Sequence, residues 1–387
     1  MSKLALGMMR LPLTDKDDVK SIDQKEVNRM VDLCMESGLN YFDTAYYYHD
    51  EMSEVALRKG VIERYPREDV IIADKLPIYM NPKEEELEGL FNNQLERLNI
   101  DYFDYYMLHN VSGLSEDGYL KADSFGFVNK MKKEGKIKKL GISTHANAEY
   151  IENILKHHPE IEFVQLQINY LDWESNENIQ ARKCYEVARK YDKEVIVMEP
   201  LKGGFLVDVP EDAQKLMKEH NGEDPIKWAL RFVAELEGVS YVLSGAGNTQ
   251  QLKKNIEIFK DIKPLTDEEH KIIDEVVKII NSKITVDCTA CNYCLSSCVK
   301  NINIPKLFSM YNHEMIQNID LYTATGNAYT NYAKIEGNGI ASDCIGCGKC
   351  MDVCPQQLDI PGYLKDVAKR FEIPLYGFGS EEEAKEE

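Results

Sequence analysis

Short strand-like segments alternate with longer helical segments from Leu4 to Ala246, and this alternation limits the possible folds more than any other feature. The short segments are rich in β-branched and aromatic residues, whereas the longer ones, such as Gln24 to Glu36, space their apolar residues as a helix does. Eight such units within about 250 residues are typical of a closed (β/α)8 barrel. The sequence therefore predicts an α/β fold with a TIM barrel. The strand candidates begin at Leu4, Leu39, Val70, Tyr102, Ile137, Glu162, Glu194 and Val239.

A doubly wound dinucleotide-binding fold is the main alternative for such an alternation. That fold carries a G-x-G-x-x-G turn directly after an early strand. The nearest match here, Gly245-x-Gly247, follows the last strand candidate and has Gln250 where the third glycine belongs. The glycine pattern therefore favours the barrel.

Charge and hydropathy restrict the possible partners. The 387 residues include 46 Lys and Arg and 66 Asp and Glu, which gives a net charge of −20. Such a charge disfavours binding to nucleic acid or to an anionic membrane surface. No apolar run approaches the ~18 residues that span a bilayer, and Met1 to Leu13 lacks the layout of a signal peptide. We expect a cytoplasmic protein that binds neither nucleic acid nor a membrane.

Eight of the ten cysteines lie in two tight runs near the C-terminus. The second run has the C-x2-C-x2-C-x3-C-P spacing of bacterial ferredoxins, and the first repeats it with Val299 in place of the proline. Two [4Fe-4S] clusters are predicted, and in this motif the fourth cysteine of each run binds the other cluster. One set is then Cys288, Cys291, Cys294 and Cys354, and the other is Cys298, Cys344, Cys347 and Cys350.

Structural zinc is the alternative for these cysteines, but zinc sites favour two C-x2-C pairs with a longer spacer. Disulfides are rarer still in a reducing compartment. Cys34 and Cys184 stand alone in helical segments and are expected to be buried core thiols.

Helical periodicity gives way near Asn281 to cysteine clusters separated by polar turns, and this change predicts a domain boundary there. Residues 1–281 form the barrel, and 282–375 form a smaller, α-helical, ferredoxin-like iron-sulfur domain. An inserted element, with a helix near Lys306, separates its two cysteine runs. Residues 376–387 form an acidic tail.

Reacting groups of a TIM barrel stand at the C-terminal ends of the strands. Asp43, Lys75 and His109 close the second, third and fourth strand candidates, and Tyr48 follows the second. A nearby ammonium lowers the pKa of a tyrosine, so Lys75, held by Asp43, would make Tyr48 a usable general acid. His109 would donate a hydrogen bond to a substrate carbonyl. Taken singly, each residue is more often a helix cap or a core side chain than a catalytic group. The four in order on the right strands favour a catalytic set. His145, in the loop after the fifth strand, is placed to line the mouth.

These residues resemble a known family. Asp43-Thr44-Ala45 with Tyr48, Lys75 and Leu108-His109 are similar to the catalytic tetrad of the aldo-keto reductases. The resemblance extends from Gly7 to Asn255, and the cysteine tail resembles the iron-sulfur branch of that family. It implies Tyr48 as general acid, Asp43 and Lys75 as residues that tune it, His109 as the residue that orients the substrate, and a small carbonyl compound as substrate.

Loops after strands seven and eight of such barrels often bind phosphate. The resemblance implies NADP(H) or NAD(H) at this position. Gly245 and Gln251 stand where NADPH-using relatives carry Lys and Arg, and Met198 stands where many stack a Tyr. These changes argue against tight NADPH binding, whereas Lys253 and Lys254 lie near enough to compensate in part. The implied cofactor-binding residues are Ser143, Gln167, Met198, Glu199, Pro200, Leu201, Gly203, Gly204, Gly245, Gly247, Asn248, Gln251 and Asn255.

The number of electrons that each predicted cofactor transfers leaves more than one function possible. Nicotinamides transfer two electrons as hydride, whereas iron-sulfur clusters transfer one at a time. The leading hypothesis is a carbonyl/alcohol oxidoreductase whose clusters transfer electrons or are structural. An alternative is a reductase that holds flavin mononucleotide (FMN) in the barrel and receives electrons from ferredoxin or another redox partner. A further alternative is a non-catalytic electron-carrier or docking subunit.

Overall fold

The computed structural model describes residues 3–15, 18–174, 179–317, 324–335 and 337–373. The acidic tail expected at 376–387 lies outside these ranges. Within the described ranges, no helix is both long and apolar enough to cross a membrane.

Eight parallel strands close into a barrel in which each strand pairs with its neighbours in the chain and β8 pairs with β1. The predicted fold class is confirmed. The strands are β1 (Leu4–Gly7), β2 (Tyr41–Asp43), β3 (Ile71–Leu76), β4 (Phe103–Leu108), β5 (Ile137–Thr144), β6 (Phe163–Gln167), β7 (Glu194–Met198) and β8 (Val239–Ser244).

Helices follow the strands and continue into the C-terminal region. Those in the first part of the chain are α1 (Gln24–Glu36), α2 (Ser53–Leu57), α3 (Glu84–Leu98), α4 (Ser124–Lys133), α5 (Ala148–His157), α6 (Ala181–Lys190), α7 (Glu211–Asn221), α8 (Pro225–Ala234) and α9 (Thr249–Lys260). The remaining ones are α10 (Asp267–Asn281), α11 (Ile304–Gln317), α12 (Ala324–Ala333), α13 (Lys349–Asp352) and α14 (Ile360–Phe371).

The barrel is filled from inside by large side chains. Tyr41, Tyr105, Phe163 and Leu243 belong to one buried interior cluster. Every residue of β4 is buried, as expected for a strand of a parallel sheet that is covered on both faces. Burial on both sides explains why the β4 segment is an almost continuous apolar run without simple alternation.

Capping residues place helix N-termini at the barrel mouth, which is the end where the strands finish. Asn147 accepts a hydrogen bond from Tyr150 N and begins α5, and Asn248 accepts one from Gln251 N and begins α9. Each cap satisfies an amide of the first helical turn that has no partner within the helix. The loops after β5 and β8 are therefore held in defined positions.

Backbone contacts divide the chain into two compact units. One contains Met1–Lys202 and Glu223–Glu269, and the other contains Gly203–Gly222 and His270–Glu387. The second unit thus includes α7 as well as the C-terminal region. A single cut near Asn281 cannot describe this division, because α7 precedes the last barrel strand in the chain.

The second unit has its own hydrophobic core. Phe308 of α11, Tyr329 of α12 and Phe371 of α14 are buried within it, and the rings of Tyr329 and Phe371 stack with centroids 4.8 Å apart. In the described part of the insertion between the cysteine runs, α11 begins two residues before Lys306 and α12 is a second helix.

Candidate active site and cluster sites

Three of the predicted catalytic residues lie at the ends of adjacent strands. Asp43 ends β2, Lys75 is the penultimate residue of β3, and His109 directly follows β4. The backbone N–H of His109 donates to Leu76 O over 2.9 Å, which continues the β3–β4 ladder by one residue. The closed parallel sheet therefore brings them to the same mouth.

Lys75 and Asp43 form a buried ion pair. Lys75 Nζ lies 2.5 Å from Asp43 Oδ1 and donates to Thr44 O over 2.6 Å. The second carboxylate oxygen of Asp43 accepts a hydrogen bond of 2.8 Å from Gln165 Nε2. The side chains of Lys75 and Asp43 are 0% and 4% exposed. A charge pair removed from water in this way depends on each partner for its stability.

Aromatic rings cover this pair. Lys75 Nζ lies 4.9 Å from the centroid of the Tyr48 ring. The Tyr48 ring meets His109 nearly perpendicularly, with centroids 5.9 Å apart, and Tyr79 meets His109 at 5.1 Å. The structure thus brings all four predicted residues together. Tyr79 was not predicted; its place just after the third strand is the signal that could have found it.

One electrostatic expectation is wrong. Burial, reinforced by the charge of Asp43, raises the pKa of Tyr48 well above its ordinary value, where the sequence predicted a lowering. The main reason is burial of the phenol, which disfavours the charged phenolate, and the negative charge of Asp43 adds to this effect. Burial, with the nearby charge of Lys75, lowers the pKa of His109 well below its usual range. His109 is therefore a neutral imidazole at physiological pH.

A second polar network lies after strands six and seven. Asp172 Oδ2 accepts hydrogen bonds of 2.7 Å from both Gln167 Nε2 and Asn169 Nδ2, and Asp172 Oδ1 lies 2.6 Å from Lys202 Nζ. Gln167 Oε1 lies 3.0 Å from Nδ1 of His145. Of these residues the sequence singled out Gln167 and His145. The polar residues Asn169 and Asp172 closely follow the sixth strand, and that position is the signal that could have found them.

The predicted cofactor residues of the loop after β8 bond to one another. Gly247 N donates to Gln251 Oε1 over 2.8 Å, and Asn255 Nδ2 donates to Ser244 Oγ over 2.9 Å. Asn248 caps α9. The loop is therefore organised by its own side chains.

The other predicted cofactor residues lie on different elements. Ser143 is buried in β5, and Met198 ends β7 with Glu199, Pro200 and Leu201 following it. Gly203 and Gly204 belong to the second unit and have φ values of 67° and 101°, a region that favours glycine.

Glu26 was not predicted as part of any site. Its Oε1 accepts a hydrogen bond of 2.7 Å from Thr249 N, the first amide of α9. This bond, together with Arg29, lowers the pKa of Glu26. A carboxylate therefore already occupies the positive end of α9, the part of such a barrel that otherwise attracts phosphate.

The eight clustered cysteines line two separate cavities of the second unit. The first cavity has apolar walls that include Ile304, Phe308 and Leu358, and the second has Ile302, Ile304 and Leu364. The first is lined by Cys288, Cys291, Cys294 and Cys354, and the second by Cys298, Cys344, Cys347 and Cys350. Each cavity thus draws three cysteines from one run and the fourth from the other.

The donor set suits iron-sulfur clusters. Backbone amides approach the sulfur atoms, since Ala290 N donates to Cys288 Sγ and Ile302 N to Cys298 Sγ, both over 3.4 Å. Such N–H···S bonds and apolar walls accompany clusters and set their potential. All ten cysteines are free of disulfides. Among the described residues, no three His, Cys, Asp or Glu converge tightly enough for one metal ion.

Comparison with known families finds two family models in consecutive parts of the chain. A family model described as the aldo/keto reductase family matches residues 3–278, and one described as a 4Fe-4S dicluster domain matches residues 287–358. The chain belongs to the aldo/keto reductase family. This aldo/keto reductase is therefore an oxidoreductase that carries an iron-sulfur domain.

Several curated relatives share the barrel of this aldo/keto reductase. An aldo-keto reductase of Mycobacterium sp. (strain MCS) is 28% identical over 252 residues, covering 65% of this chain and 82% of the relative. The NADH-specific methylglyoxal reductase of Escherichia coli is 25% identical, covering 57% of this chain and 78% of that protein.

A solved structure also has this fold. An aldo-keto reductase from Bacillus halodurans, in its holo form, superposes with a TM-score of 0.56 at 24% identity. The match covers 71% of this chain and 91% of that one. At this identity the match supports the barrel fold alone.

Proposed function

We propose that this aldo/keto reductase interconverts a carbonyl and an alcohol at the barrel mouth, with Tyr48 as the general acid. The observation that carries the proposal is the buried Lys75–Asp43 pair beneath the Tyr48 ring, with neutral His109 beside it. A single aspartate or histidine at a strand end is often only a helix cap or a core residue. The convergence of all four side chains at the end of a barrel where catalysis takes place supports a shared role.

Each side chain of this site has a distinct part in the reaction. A bound nicotinamide supplies the hydride. His109, kept neutral by burial, donates an N–H to the substrate carbonyl oxygen and orients it. Tyr48 gives its proton to that oxygen as negative charge develops there. Lys75, 4.9 Å from the ring centroid, stabilises the phenolate that remains. Asp43 and Gln165 hold Lys75 in place.

The residues at α9 fit NAD(H) better than NADP(H). The Glu26 carboxylate at Thr249 N would repel a 2′-phosphate, whereas a carboxylate can accept a hydrogen bond from a free ribose 2′-hydroxyl. Gly245 and Gln251 supply no compensating cation. Ser143, Met198 to Leu201, Gly247 and Asn248 are the residues proposed to hold the rest of the nucleotide.

Two [4Fe-4S] clusters are proposed for the second unit, one for each set of four cysteines. When bound, each cluster carries one electron at a time. The Cys347 side chain is exposed, and exposed Val299 and Ile345 lie near it. This loop is where an external one-electron partner, such as ferredoxin, would have closest access. A cytoplasmic location likewise stays a prediction.

The test is an anaerobic preparation in which iron, sulfide, flavin and nicotinamide are quantified on the same sample. Tyr48→Phe should lower kcat for carbonyl reduction by at least about 100-fold and leave the Kd of NADH unchanged. Tyr185→Phe, which removes an exposed phenol bonded to Glu237 O, is the matched control and should behave as wild type. Intact turnover in Tyr48→Phe would contradict the acid role. Release of a yellow chromophore on denaturation would favour a flavin instead.

A further inference from the structure

The Asp172 network fixes the orientation of a neighbouring amide. A carboxylate can only accept hydrogen bonds, so the group of Gln167 that faces Asp172 Oδ2 at 2.7 Å has to be its NH2. Asn169 and Lys202 also donate to this carboxylate, and Asp172 is only 3% exposed. Rotating the Gln167 amide by half a turn would place two acceptor oxygens against each other in a buried site.

The orientation of Gln167 in turn fixes the tautomer of a histidine. With its NH2 on Asp172, Gln167 presents its carbonyl oxygen to Nδ1 of His145 at 3.0 Å. Nδ1 therefore has to carry the proton. Burial lowers the pKa of His145 to about 4, so the ring is neutral at physiological pH. In a neutral ring with a proton on Nδ1, Nε2 is an acceptor.

His145 stands at the barrel mouth beside the residues that orient the substrate. It directly follows β5 as His109 directly follows β4, and Leu108 and Ile142 are register partners on these neighbouring strands. The two rings are close enough that charge on His145 would lower the pKa of His109. The His145 side chain is partly exposed. No hydrogen bond to its Nε2 comes from the parts of the chain that the structure describes.

We propose that Nε2 of His145 accepts a hydrogen bond from a hydroxyl group of the substrate and thereby selects hydroxylated carbonyl compounds. This inference rests on the proposed carbonyl reduction. A neutral acceptor repels carboxylate and phosphate groups and requires a donor, so the substrate class is an uncharged aldehyde or ketone with a neighbouring hydroxyl. His145 is a specificity residue that contacts substrate, and Gln167 and Asp172 are positioning residues that set its tautomer.

The kinetic test compares two substrates that differ in one hydroxyl, glyceraldehyde and 3-hydroxypropanal, with propanal as the reference for both. The wild-type enzyme should favour at least one hydroxylated aldehyde over propanal by about ten-fold in kcat/KM, the equivalent of one hydrogen bond. His145→Phe should abolish that preference by raising KM for the hydroxylated aldehyde to the value for propanal. His145→Gln keeps an acceptor and should retain part of it. His157→Gln, at the exposed end of α5, is the control.

The tautomer has a readout that does not depend on turnover. In nitrogen NMR of the full-length, cluster-loaded protein, His145 should show a protonated Nδ1 and an unprotonated Nε2 across neutral pH. Gln167→Leu, which removes the amide but leaves the Lys202–Asp172 pair, should mix the two tautomers. A protonated Nε2 in the wild type would overturn the inference, and so would equal preference for the three aldehydes. Loss of all carbonyl turnover in wild type and variants alike would instead count against the proposed function.

Discussion

At the residue scale, Lys75 and Asp43 carry buried charges, and each charge is stable in the protein only because the other one neutralises it. Lys75 is bonded to Asp43 and Thr44 O, and Asp43 is further bonded to Gln165. Removing one member leaves the other charge buried without its counter-ion. Removing both leaves no charge in the site, so the two changes should not be additive.

We expect Lys75→Met and Asp43→Asn each to lower the free energy of unfolding by about 3 to 5 kcal/mol. The double variant should be markedly more stable than the sum of the two losses implies, although carbonyl reduction should be lost in all three. Urea unfolding measures the stabilities. The exposed Lys121–Asp117 pair, 2.8 Å apart, is the control, and its removal should change little. Strictly additive losses for the buried pair would contradict the coupling.

The pH profile of carbonyl reduction should follow from the pKa directions of Tyr48 and His109. The acid form of Tyr48 is the active one, and its raised pKa keeps it protonated past about pH 10, the ordinary value for tyrosine. His109, whose pKa is lowered, should not gain a proton near its ordinary value of about 6.5. We therefore expect kcat/KM for reduction to stay flat between about pH 6 and 9. Steady-state rates with saturating NADH measure it, and a limb near neutrality that Tyr48→Phe removes would show that the phenol titrates much lower.

At the scale of secondary-structure elements, the carboxyl groups of Glu54 and Asp74 face each other where α2 and α3 pack on β3. Glu54 accepts hydrogen bonds from Gln94 and Arg97, and Arg97 forms an ion pair with it at 2.9 Å. Asp74 Oδ1 accepts from Lys75 N. Burial and the facing Glu54 carboxyl raise the pKa of Asp74 well above its ordinary value. We therefore expect Asp74 to be protonated and to donate a hydrogen bond to the Glu54 carboxylate.

The contribution of Asp74 to the free energy of unfolding should therefore fall as pH rises. A carboxyl whose pKa is raised by folding contributes its full stability below its unfolded pKa, about 4, and loses it as pH increases through the folded value. Asp74→Asn keeps a donor toward Glu54 and does not titrate. We expect its free energy of unfolding to change less between pH 5 and pH 8 than that of the wild type, as urea titrations at several pH values would show. Parallel curves for the two proteins would place the proton elsewhere.

The crossed cysteine sets give an experiment on the cluster loops. Cys354→Ser should disturb the cluster proposed for Cys288, Cys291 and Cys294, whereas Cys298→Ser should disturb the other. Each variant, prepared anaerobically, should bind about half of the roughly eight iron atoms of two intact clusters. Spectra of the reduced proteins should show a different surviving cluster in each. Cys291→Ser should leave the same surviving cluster as Cys354→Ser. A Cys354→Ser spectrum that instead matches that of Cys347→Ser would mean that the sets are not crossed.

Control variants for that experiment come from the barrel. Burial raises the pKa of Cys34 to about 12 and that of Cys184 to about 12, so both are protonated and unreactive at neutral pH. Cys34→Ser and Cys184→Ser should leave the iron content unchanged. Any loss of iron in them would point to instability of the protein as a whole.

At the scale of the whole molecule, the second unit is discontinuous in the chain. Residues 203–222 belong to it together with the C-terminal region, and Lys283 Nζ lies 2.8 Å from both carboxylate oxygens of Asp212. Ala213 and Met217 of α7 are buried. A fragment that ends at residue 281 would keep α7 but lose most of the unit to which it belongs.

We expect such a 1–281 fragment to be cleaved within residues 203–222 by limited proteolysis, while the full-length protein resists cleavage there. Partial unfolding of a segment that lacks its packing partners exposes the backbone to proteases. A fragment that ends at residue 375 is the matched control and should resist like the full chain. Equal protection of residues 203–222 in the 1–281 fragment would show that the barrel supports this segment by itself.

Local spacing in the sequence determined the strand and helix order, the closed barrel and the two cysteine runs, because periodicity and ligand spacing are properties of neighbouring residues. The strand ends also singled out Asp43, Lys75 and His109. Contacts between distant segments were decided only by the tertiary structure. Gln165 on Asp43, Tyr79 against His109, Glu26 at α9 and the Asp172 network each join residues from different loops or strands. The pKa of Tyr48 moved opposite to expectation for the same reason: burial and the exact placement of Asp43 beside Lys75 depend on how the barrel closes.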